Sequence, residues 1–324
     1  DMKDAVHHSL GFTGPGLILP DTTYYEESHP RKAELLSFWQ ENSKEILEHF
    51  GQKDAQEIAA KAVAFDGLFV ESANTAEEWA KYAELYHPVP FKEFVGHFKN
   101  IDFDSFIKGL VNIEPEKVVV FENRFYDSFD HIINEENWPL IKAWMLVKIA
   151  RKATGLLSDE LRLLGSAYGR FLSNVSEARS QEKHQLDITE SYFSQVIGLY
   201  YGLKYFGEEA KSDVKHMTSE MIKVYQERLD KNEWLSRATI DKAIEKLSAI
   251  TVFIGYPDKL PEIYSRFKVG NGSLYEDACH FDELLTARHY EKFSEEVDKS
   301  LWHMPAHMVN AYYSPDSNTI VFPA

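Results

Sequence analysis

The strongest constraint in this sequence is the helical spacing of its apolar residues, which recurs through eight separate segments. In residues 31–50, seven apolar residues lie at helical spacings, and Gly51 follows as a stop signal: Leu35, Leu36, Phe38, Trp39, Ile46, Leu47 and Phe50. The same spacing is found in seven further segments: 54–70, 75–86, 138–156, 159–175, 186–206, 208–229 and 237–250. The sequence therefore predicts a mainly α protein with many helices.

Two short parts of the chain depart from the helical spacing. Residues 117–122 contain Val118-Val119-Val120-Phe121, a short, apolar and mostly β-branched run, which predicts a strand. Residues 308–313 and 319–322 are two further β-prone runs, joined by Ser314-Pro315-Asp316-Ser317-Asn318. Because Pro followed by Asp and Ser favours a type I turn, these two runs predict a β-hairpin.

Charge and composition exclude several classes of protein. The chain has 35 Lys and Arg against 52 Asp and Glu, a net charge of −17, which disfavours nucleic acid and anionic membrane surfaces as partners. No run approaches the roughly 20 apolar residues of a membrane span. The single Cys279 excludes an intrachain disulfide and a thiolate zinc cluster. We expect no nucleic-acid and no membrane partner, and a cytoplasmic location.

Sequence motifs for catalysis are missing from these 324 residues. A metallopeptidase helix carries His-Glu-x-x-His, because two imidazoles one turn apart face one zinc ion and the Glu serves as base. His303 and His307 have the four-residue spacing, but Met304-Pro305-Ala306 between them supplies no Glu and places a proline inside the turn. We therefore predict loop histidines, no metal site and no catalytic residue in this chain.

Two further features are predicted to be structural. Cys279 has no surrounding signature of a catalytic thiol, and we expect it to be a small buried or half-buried side chain. A helical cluster of aromatic residues is expected to pack in the core: Tyr192, Phe193, Tyr200, Tyr201, Tyr205 and Phe206.

Three segments together resemble the neprilysin family of zinc endopeptidases. The first is Gly16-Leu17-Ile18-Leu19-Pro20-Asp21-Thr22-Thr23-Tyr24-Tyr25. The second comprises Trp234, Thr239, Ala243, Lys246-Leu247 and Ile254-Gly255-Tyr256-Pro257-Asp258. The third comprises Val309-Asn310-Ala311-Tyr312-Tyr313 and Asn318-Thr319-Ile320-Val321-Phe322-Pro323-Ala324, which is similar to the hairpin that leads into the family's catalytic helix. The middle of the chain, from about residue 28 to 185, matches mainly by helical character.

The resemblance implies a fold and a domain organisation. Residues 1–276 are expected to form the family's helical lid over a substrate chamber that admits short peptides, with 117–122 as a linking strand. Residues 277–324 are expected to begin a truncated thermolysin-like α+β catalytic domain with its first β-hairpin. The family's zinc ligands and catalytic Glu lie downstream of the Phe-Pro-Ala segment, so the chain is expected to be an inner fragment that is inactive alone and binds no zinc itself. Zinc and the missing downstream catalytic segment are expected in the complete enzyme.

The resemblance carries over two site residues, Asn310 and Ala311, whose counterparts bind the substrate main chain. The Asn310 amide offers a donor and an acceptor, and Ala311 lets two backbones approach. We expect 309–313 to be a strand with an open outer edge and Asn310 directed toward the region of the catalytic helix. The alternative is an ordinary strand whose Asn caps a bulge. For the whole chain, the alternative to an endopeptidase segment is a noncatalytic helical peptide-binding or scaffold module.

Overall fold

The chain forms two compact units, each made of separate stretches of sequence. The computed structural model describes residues 3–270 and 272–324. The larger unit comprises residues 8–181 and 268–295, and the smaller unit comprises residues 3–7, 182–267 and 296–324. The expected boundary after residue 276 falls inside a helix of the larger unit, Leu274–Glu291. The expected domain division at 276 and 277 stays a prediction.

Helices dominate both units, which confirms the predicted mainly α class. The α-helices of the described residues are α1 Lys32–His49, α2 Ala55–Gly67, α3 Ala76–Ala80, α4 Phe91–His97, α5 Phe103–Val111, α6 Asn123–Ile132, α7 Trp138–Thr154, α8 Asp159–Gly165, α9 Ala167–Leu172, α10 Gln181–Tyr201, α11 Gly207–Asp230, α12 Arg237–Ser248 and α13 Leu274–Glu291. Helix α10 is kinked at Phe193 (φ −118°, ψ 20°) and continues into a π-helical turn, Gly202–Phe206. Among the described residues, no helix combines the length and hydropathy that a membrane span requires.

The strands form two three-stranded sheets, one in each unit. They are β1 Leu10–Phe12, β2 His87–Pro90, β3 Lys117–Val120, β4 Thr251–Gly255, β5 Tyr312–Ser314 and β6 Thr319–Pro323. In the larger unit, β3 is the middle strand, parallel to β1 and antiparallel to β2. In the smaller unit, β6 is the middle strand, parallel to β4 and antiparallel to β5. The predicted hairpin of β5 and β6 is thereby confirmed.

Strand β3 confirms the strand predicted within residues 117–122. Its three valines, Val118, Val119 and Val120, are all buried, because a middle strand is covered on both faces and carries apolar residues at successive positions. The flanking strands β1 and β2 were not predicted. Strand β2 reads His-Pro-Val-Pro, and its prolines are tolerated because it lies at the edge of the sheet.

The core of the larger unit contains two apolar clusters. One is built mainly of phenylalanines near β3 and includes Phe65, Phe69, Phe94, Phe125 and Phe129. Many of these rings meet edge to face, as in the Phe65–Phe69 pair with centroids 4.8 Å apart. The other cluster joins α1, α2 and α7 through Leu35, Trp39, Ile46, Leu47 and Val147. The predicted apolar residues of α1 therefore pack in this cluster, except that Phe50, just beyond the helix, is 40% exposed.

The Gly-Leu-x-Leu-Pro segment is held by a buried carboxylate. Asp66 of α2 is fully buried, and its Oδ1 accepts the backbone N–H of Ile18 at 2.9 Å. The Tyr25 hydroxyl donates to Oδ2 of Asp66 and accepts the N–H of Leu19 at 3.0 Å. The Tyr168 hydroxyl donates to the Ile18 carbonyl at 3.1 Å. These side chains satisfy an extended segment that no sheet pairs, so the segment has a structural role.

Burial shifts the pKa values of two side chains in this network, Asp66 and Tyr25. Desolvation raises the pKa of the Asp66 carboxyl above its ordinary value. Desolvation, followed by the charge of Asp66, raises the pKa of the Tyr25 hydroxyl. Tyr25 therefore remains a hydrogen-bond donor over the physiological pH range.

Cys279 lies on α13 and is exposed, so the prediction of a buried or half-buried thiol is wrong. The residues of α13 that are buried are Ala278 and Phe281. Because successive helical residues point about 100° apart, Cys279 does not lie on the buried face that Ala278 and Phe281 share.

We predict that Asp66→Ala lowers the free energy of unfolding by about 2–5 kcal/mol, because it leaves the Ile18 N–H and the Tyr25 hydroxyl buried without their acceptor. Urea unfolding measures this loss. Asp54→Ala is the matched control, since Asp54 is exposed and makes no side-chain cap bond to α2, and it is expected to change stability by less than about 0.5 kcal/mol. Equal effects of the two substitutions would contradict the role assigned to Asp66.

Candidate functional site

Asn310 and Ala311 lie immediately before β5 and are exposed. The strand begins at Tyr312, so the prediction of a strand over 309–313 is wrong for residues 309–311. The pairing register supplies the reason: Tyr312 lies opposite Val321, and continuing it would place Asn310 opposite Pro323. Proline has no N–H to donate, so the β5–β6 ladder stops before Asn310 is reached.

The β5 edge is open on the side away from β6 among the described residues. The strand order is β4-β6-β5, so β5 pairs with β6 alone. An exposed strand edge presents backbone N–H and C=O groups that an extended peptide can pair with. Just before β5, the Asn310 Oδ1 accepts a hydrogen bond from the N–H of Ala311 at 2.8 Å. The Asn310 Nδ2 group then carries the donors that could meet a peptide carbonyl.

The Ile-Gly-Tyr-Pro-Asp segment ends β4 and packs against the π-helical turn. Gly255 has a positive φ of 75°, and a Cβ there would lie 2.8 Å from the Phe206 ring. A Cβ on Gly202 would lie 2.4 Å from the Tyr256 ring. Each glycine therefore permits a close approach that any side chain would block. The glycines and Tyr256 of these two segments therefore serve the packing of the end of β4 against the π-helical turn.

Tyr256 is buried at 3% exposure and is held by charged groups on α11. Its hydroxyl donates to the Glu208 carboxylate, and Lys211 Nζ donates to its carbonyl at 3.1 Å and lies 4.2 Å from its ring centroid. The hydrogen bond to Glu208, together with desolvation, raises the pKa of Tyr256 to about 12. Tyr256 thus stays protonated at neutral pH and acts as a donor that fixes β4 to α11.

The segment 302–307 precedes the candidate site and is held at several points. The Trp302 ring stacks on Phe253 of β4, with centroids 5.8 Å apart and planes 14° apart. The Trp302 carbonyl accepts Nε2 of Gln195 at 3.1 Å. The Ala306 carbonyl accepts the N–H of Ala324 at 2.8 Å. These contacts tie the segment to the sheet and to α10.

His303 and His307 do not form a pair. His307 Nε2 lies 2.7 Å from Glu190 Oε1 of α10. His303 is exposed, and its backbone N–H donates to the Tyr312 hydroxyl at 3.2 Å. Within residues 3–270 and 272–324, no three His, Cys, Asp or Glu side chains are grouped closely enough to hold one metal ion. The described residues therefore do not fit a zinc site.

The aromatic cluster of α10 and the π-helical turn is only partly buried. Phe193 packs near Tyr264 and Phe267, with centroids 6.3 and 5.7 Å away. Tyr200 and Tyr205, however, are 63% and 66% exposed, so the prediction that they pack in the core is wrong. Apolar spacing identified the helix, but it could not distinguish a covered aromatic face from an exposed one.

Asn318 closes the hairpin and connects it to α12. Its φ of 50° is left-handed, a conformation that Asn tolerates better than most residues. Its Oδ1 accepts the Tyr313 hydroxyl at 3.0 Å, and its Nδ2 donates to the Lys246 carbonyl at 2.9 Å. Its own carbonyl accepts the N–H of Thr251 in β4. One turn residue therefore orients the open edge relative to the rest of the sheet.

Comparison with known proteins gives consistent matches along the whole chain. The model of peptidase family M13, N-terminal part, matches residues 1–257. A neutral endopeptidase of Lactococcus lactis is 72% identical over 324 residues, covering 100% of this chain and 52% of that protein. A putative zinc metalloproteinase of Streptococcus gordonii is 39% identical, covering 100% of this chain and 58% of that protein. The crystal structure of PepO from a Lactobacillus superposes with a TM-score of 0.93 at 31% identity, covering 100% of this chain and 52% of that one. The chain spans about half the length of the relatives it matches.

We predict that Asn318→Gly destabilises the chain by about 1–3 kcal/mol, because it keeps the backbone conformation but removes two side-chain hydrogen bonds. Asn318→Ala is expected to lose about 1 kcal/mol more, since alanine is strained at positive φ. Urea unfolding measures both, and amide exchange at Thr251 reports the local effect. Wild-type stability in both variants would refute the assigned role.

Proposed function

This chain belongs to peptidase family M13, the neprilysin-like family, and we propose that it supplies one half of a zinc-dependent endopeptidase that cleaves short peptides. In this proposal its helices form part of the substrate chamber, and the open edge beside β5 binds the substrate backbone. The observation that carries the proposal is the exposed Asn310-Ala311 pair immediately before β5, an edge strand that pairs with β6 on one side and is open on the other among the described residues.

Substrate binding at this edge follows from the available hydrogen-bonding groups. An extended peptide laid along β5 would pair with its outward N–H and C=O groups, as in other cases of strand addition. The Asn310 Nδ2 group adds donors just beyond the strand, where the β5–β6 ladder has ended, while its Oδ1 accepts the N–H of Ala311. Ala311 has a small side chain, so a substrate backbone can approach there without a steric clash.

Zinc and the catalytic base are proposed to come from a segment that this chain does not contain. The 39% identical relative is a putative zinc metalloproteinase, and relatives of this kind are about twice as long as this chain. A catalytic zinc site needs about three protein ligands and an open position for water, and bound zinc would supply an activated water and a Lewis acid. The role proposed for the present residues is confined to binding and orienting the peptide.

The chamber is proposed to limit the substrates to short peptides. Each of the two units combines helices with a three-stranded sheet, and an enclosed site admits only chains that can enter it. The noncatalytic peptide-binding or scaffold module remains the alternative. The intact mass of the protein isolated from its source separates the two, since the endopeptidase requires a polypeptide roughly twice as long or a second polypeptide that supplies the zinc ligands.

In the zinc-containing enzyme, we predict that Asn310→Ala lowers kcat/KM by roughly 2- to 13-fold per hydrogen bond lost, which corresponds to about 0.5–1.5 kcal/mol each. Zinc content should not change. Asn310→Asp keeps an acceptor and removes the Nδ2 donors, so it identifies which group the peptide uses. Asp316→Ala is the control, because Asp316 is exposed at the tip of the same hairpin. Unaltered kcat/KM toward several peptides in folded Asn310→Ala would show that the Asn310 side chain does not bind the substrate.

We further predict that the purified 324-residue chain, with its mass verified, hydrolyses no peptide. The Lactococcus neutral endopeptidase, assayed in parallel, serves as the positive control. Chelator-sensitive cleavage by the 324-residue chain would overturn this prediction and would direct attention to His303 and His307. Added zinc should bind weakly, since the described residues group no three ligands.

A further inference from the structure

The position of the candidate site is not fixed by the sheet alone. Asn310 and Ala311 lie outside the β5–β6 ladder, which begins with the pairing of Tyr312 and Val321. Val309 is fully exposed. Residues without ladder hydrogen bonds or burial need another restraint if they are to meet a substrate at a defined place, because a loosely held site loses binding energy to ordering.

A restraint is present three residues upstream, where His307 contacts Glu190. His307 Nε2 lies 2.7 Å from Glu190 Oε1, and the two residues are 117 positions apart in sequence. His307 is mostly covered, with 18% side-chain exposure, whereas Glu190 is 48% exposed. Three residues of chain reach at most about 11 Å, so a fixed His307 confines Asn310 to a small volume.

The same helix, α10, contacts this segment at two other points. A Cβ on Gly198 would lie 2.6 Å from the Ala306 nitrogen, so only glycine lets the segment lie this close to the helix. Gln195 donates to the Trp302 carbonyl. The segment from Trp302 to His307 is therefore held along α10 by one close backbone approach, one amide and one His–Glu contact.

We propose that Glu190 and His307 are positioning residues, which hold Asn310 and Ala311 in register with the substrate backbone. This inference rests on the proposed function of the β5 edge. Neither residue needs to touch the peptide, since both act through the three residues that join His307 to Asn310. Both side chains can be replaced without changing a glycine or a backbone-bonded amide, which makes the contact testable.

The first test measures how firmly the segment from Trp302 to His307 is held against α10, and it needs no activity assay. Amide exchange at Met308 and Ala324 reports on the segment, because these N–H groups donate to the carbonyls of Pro305 and Ala306. Glu190→Ala is expected to speed exchange at both amides by about 2- to 5-fold, the range for loss of one partly exposed polar side-chain contact. Glu190→Gln keeps a hydrogen-bonding side chain and should restore most of the protection.

The control for this test is Glu182→Ala, which makes the same change at an exposed position of α10. It should leave exchange at Met308 and Ala324 unchanged. His307→Ala should reproduce the effect of Glu190→Ala, and the double variant should be no worse than either single variant, because both remove one contact. Unchanged exchange in folded Glu190→Ala would overturn the proposal.

The second test uses the zinc-containing enzyme and a double-mutant cycle with Asn310. Glu190→Ala should lower kcat/KM by about 2- to 5-fold when Asn310 is present and have little further effect in the Asn310→Ala background. An equal loss in both backgrounds would overturn the positioning role. A further outcome is that Asn310→Ala leaves kcat/KM unchanged while Glu190→Ala still speeds exchange at Met308. In that case the Glu190–His307 contact does hold the segment, but the proposed function of the β5 edge fails.

Discussion

Buried carboxylates fix the path of the chain through the larger unit. Asp66 accepts hydrogen bonds from the Ile18 N–H and the Tyr25 hydroxyl. A second carboxylate, Glu122, is 4% exposed. It accepts hydrogen bonds from the Thr13 hydroxyl and from the N–H groups of Gly14 and Asn74. The segment between β1 and Tyr25 belongs to no sheet beyond Phe12, yet its buried backbone donors must be satisfied. Asp66 and Glu122 accept hydrogen bonds from these donors, and the helices of the larger unit pack around the segment that the two carboxylates hold.

Helical architecture could be predicted from the sequence because periodicity is local. The predicted segment 31–50 became α1, 138–156 became α7, and 237–250 became α12, each within two residues of the observed ends. The β4 run Thr251–Gly255 was missed, although it is β-branched and aromatic, because it follows a helix directly and its partner lies far along the chain. Strand pairing at such separations leaves no periodic signal, and burial cannot be assigned before the partner is known.

The candidate site shows the same division between local and distant information. The resemblance pointed to Asn310 and Ala311, whose role stays a prediction, and the turn chemistry predicted the hairpin that follows them. The predicted start of β5 was wrong. The first residue of the strand depends on Pro323 in the paired strand, which has no N–H, and not on the β propensity of Val309. The contact between Glu190 and His307 could not be predicted, since nothing in the sequence near either residue indicates the other, 117 positions away.

The order of strands in the smaller unit also constrains when that unit can form during synthesis. Its middle strand, β6, is the last described strand in the chain, while β4 is made more than 60 residues earlier and β5 just before it. Neither β4 nor β5 has a strand partner until residues 319–323 leave the ribosome, which at about 5–20 residues per second is several seconds after β4. A nascent chain therefore carries β4, with its apolar Val252, Phe253 and Ile254, without a strand partner for that interval.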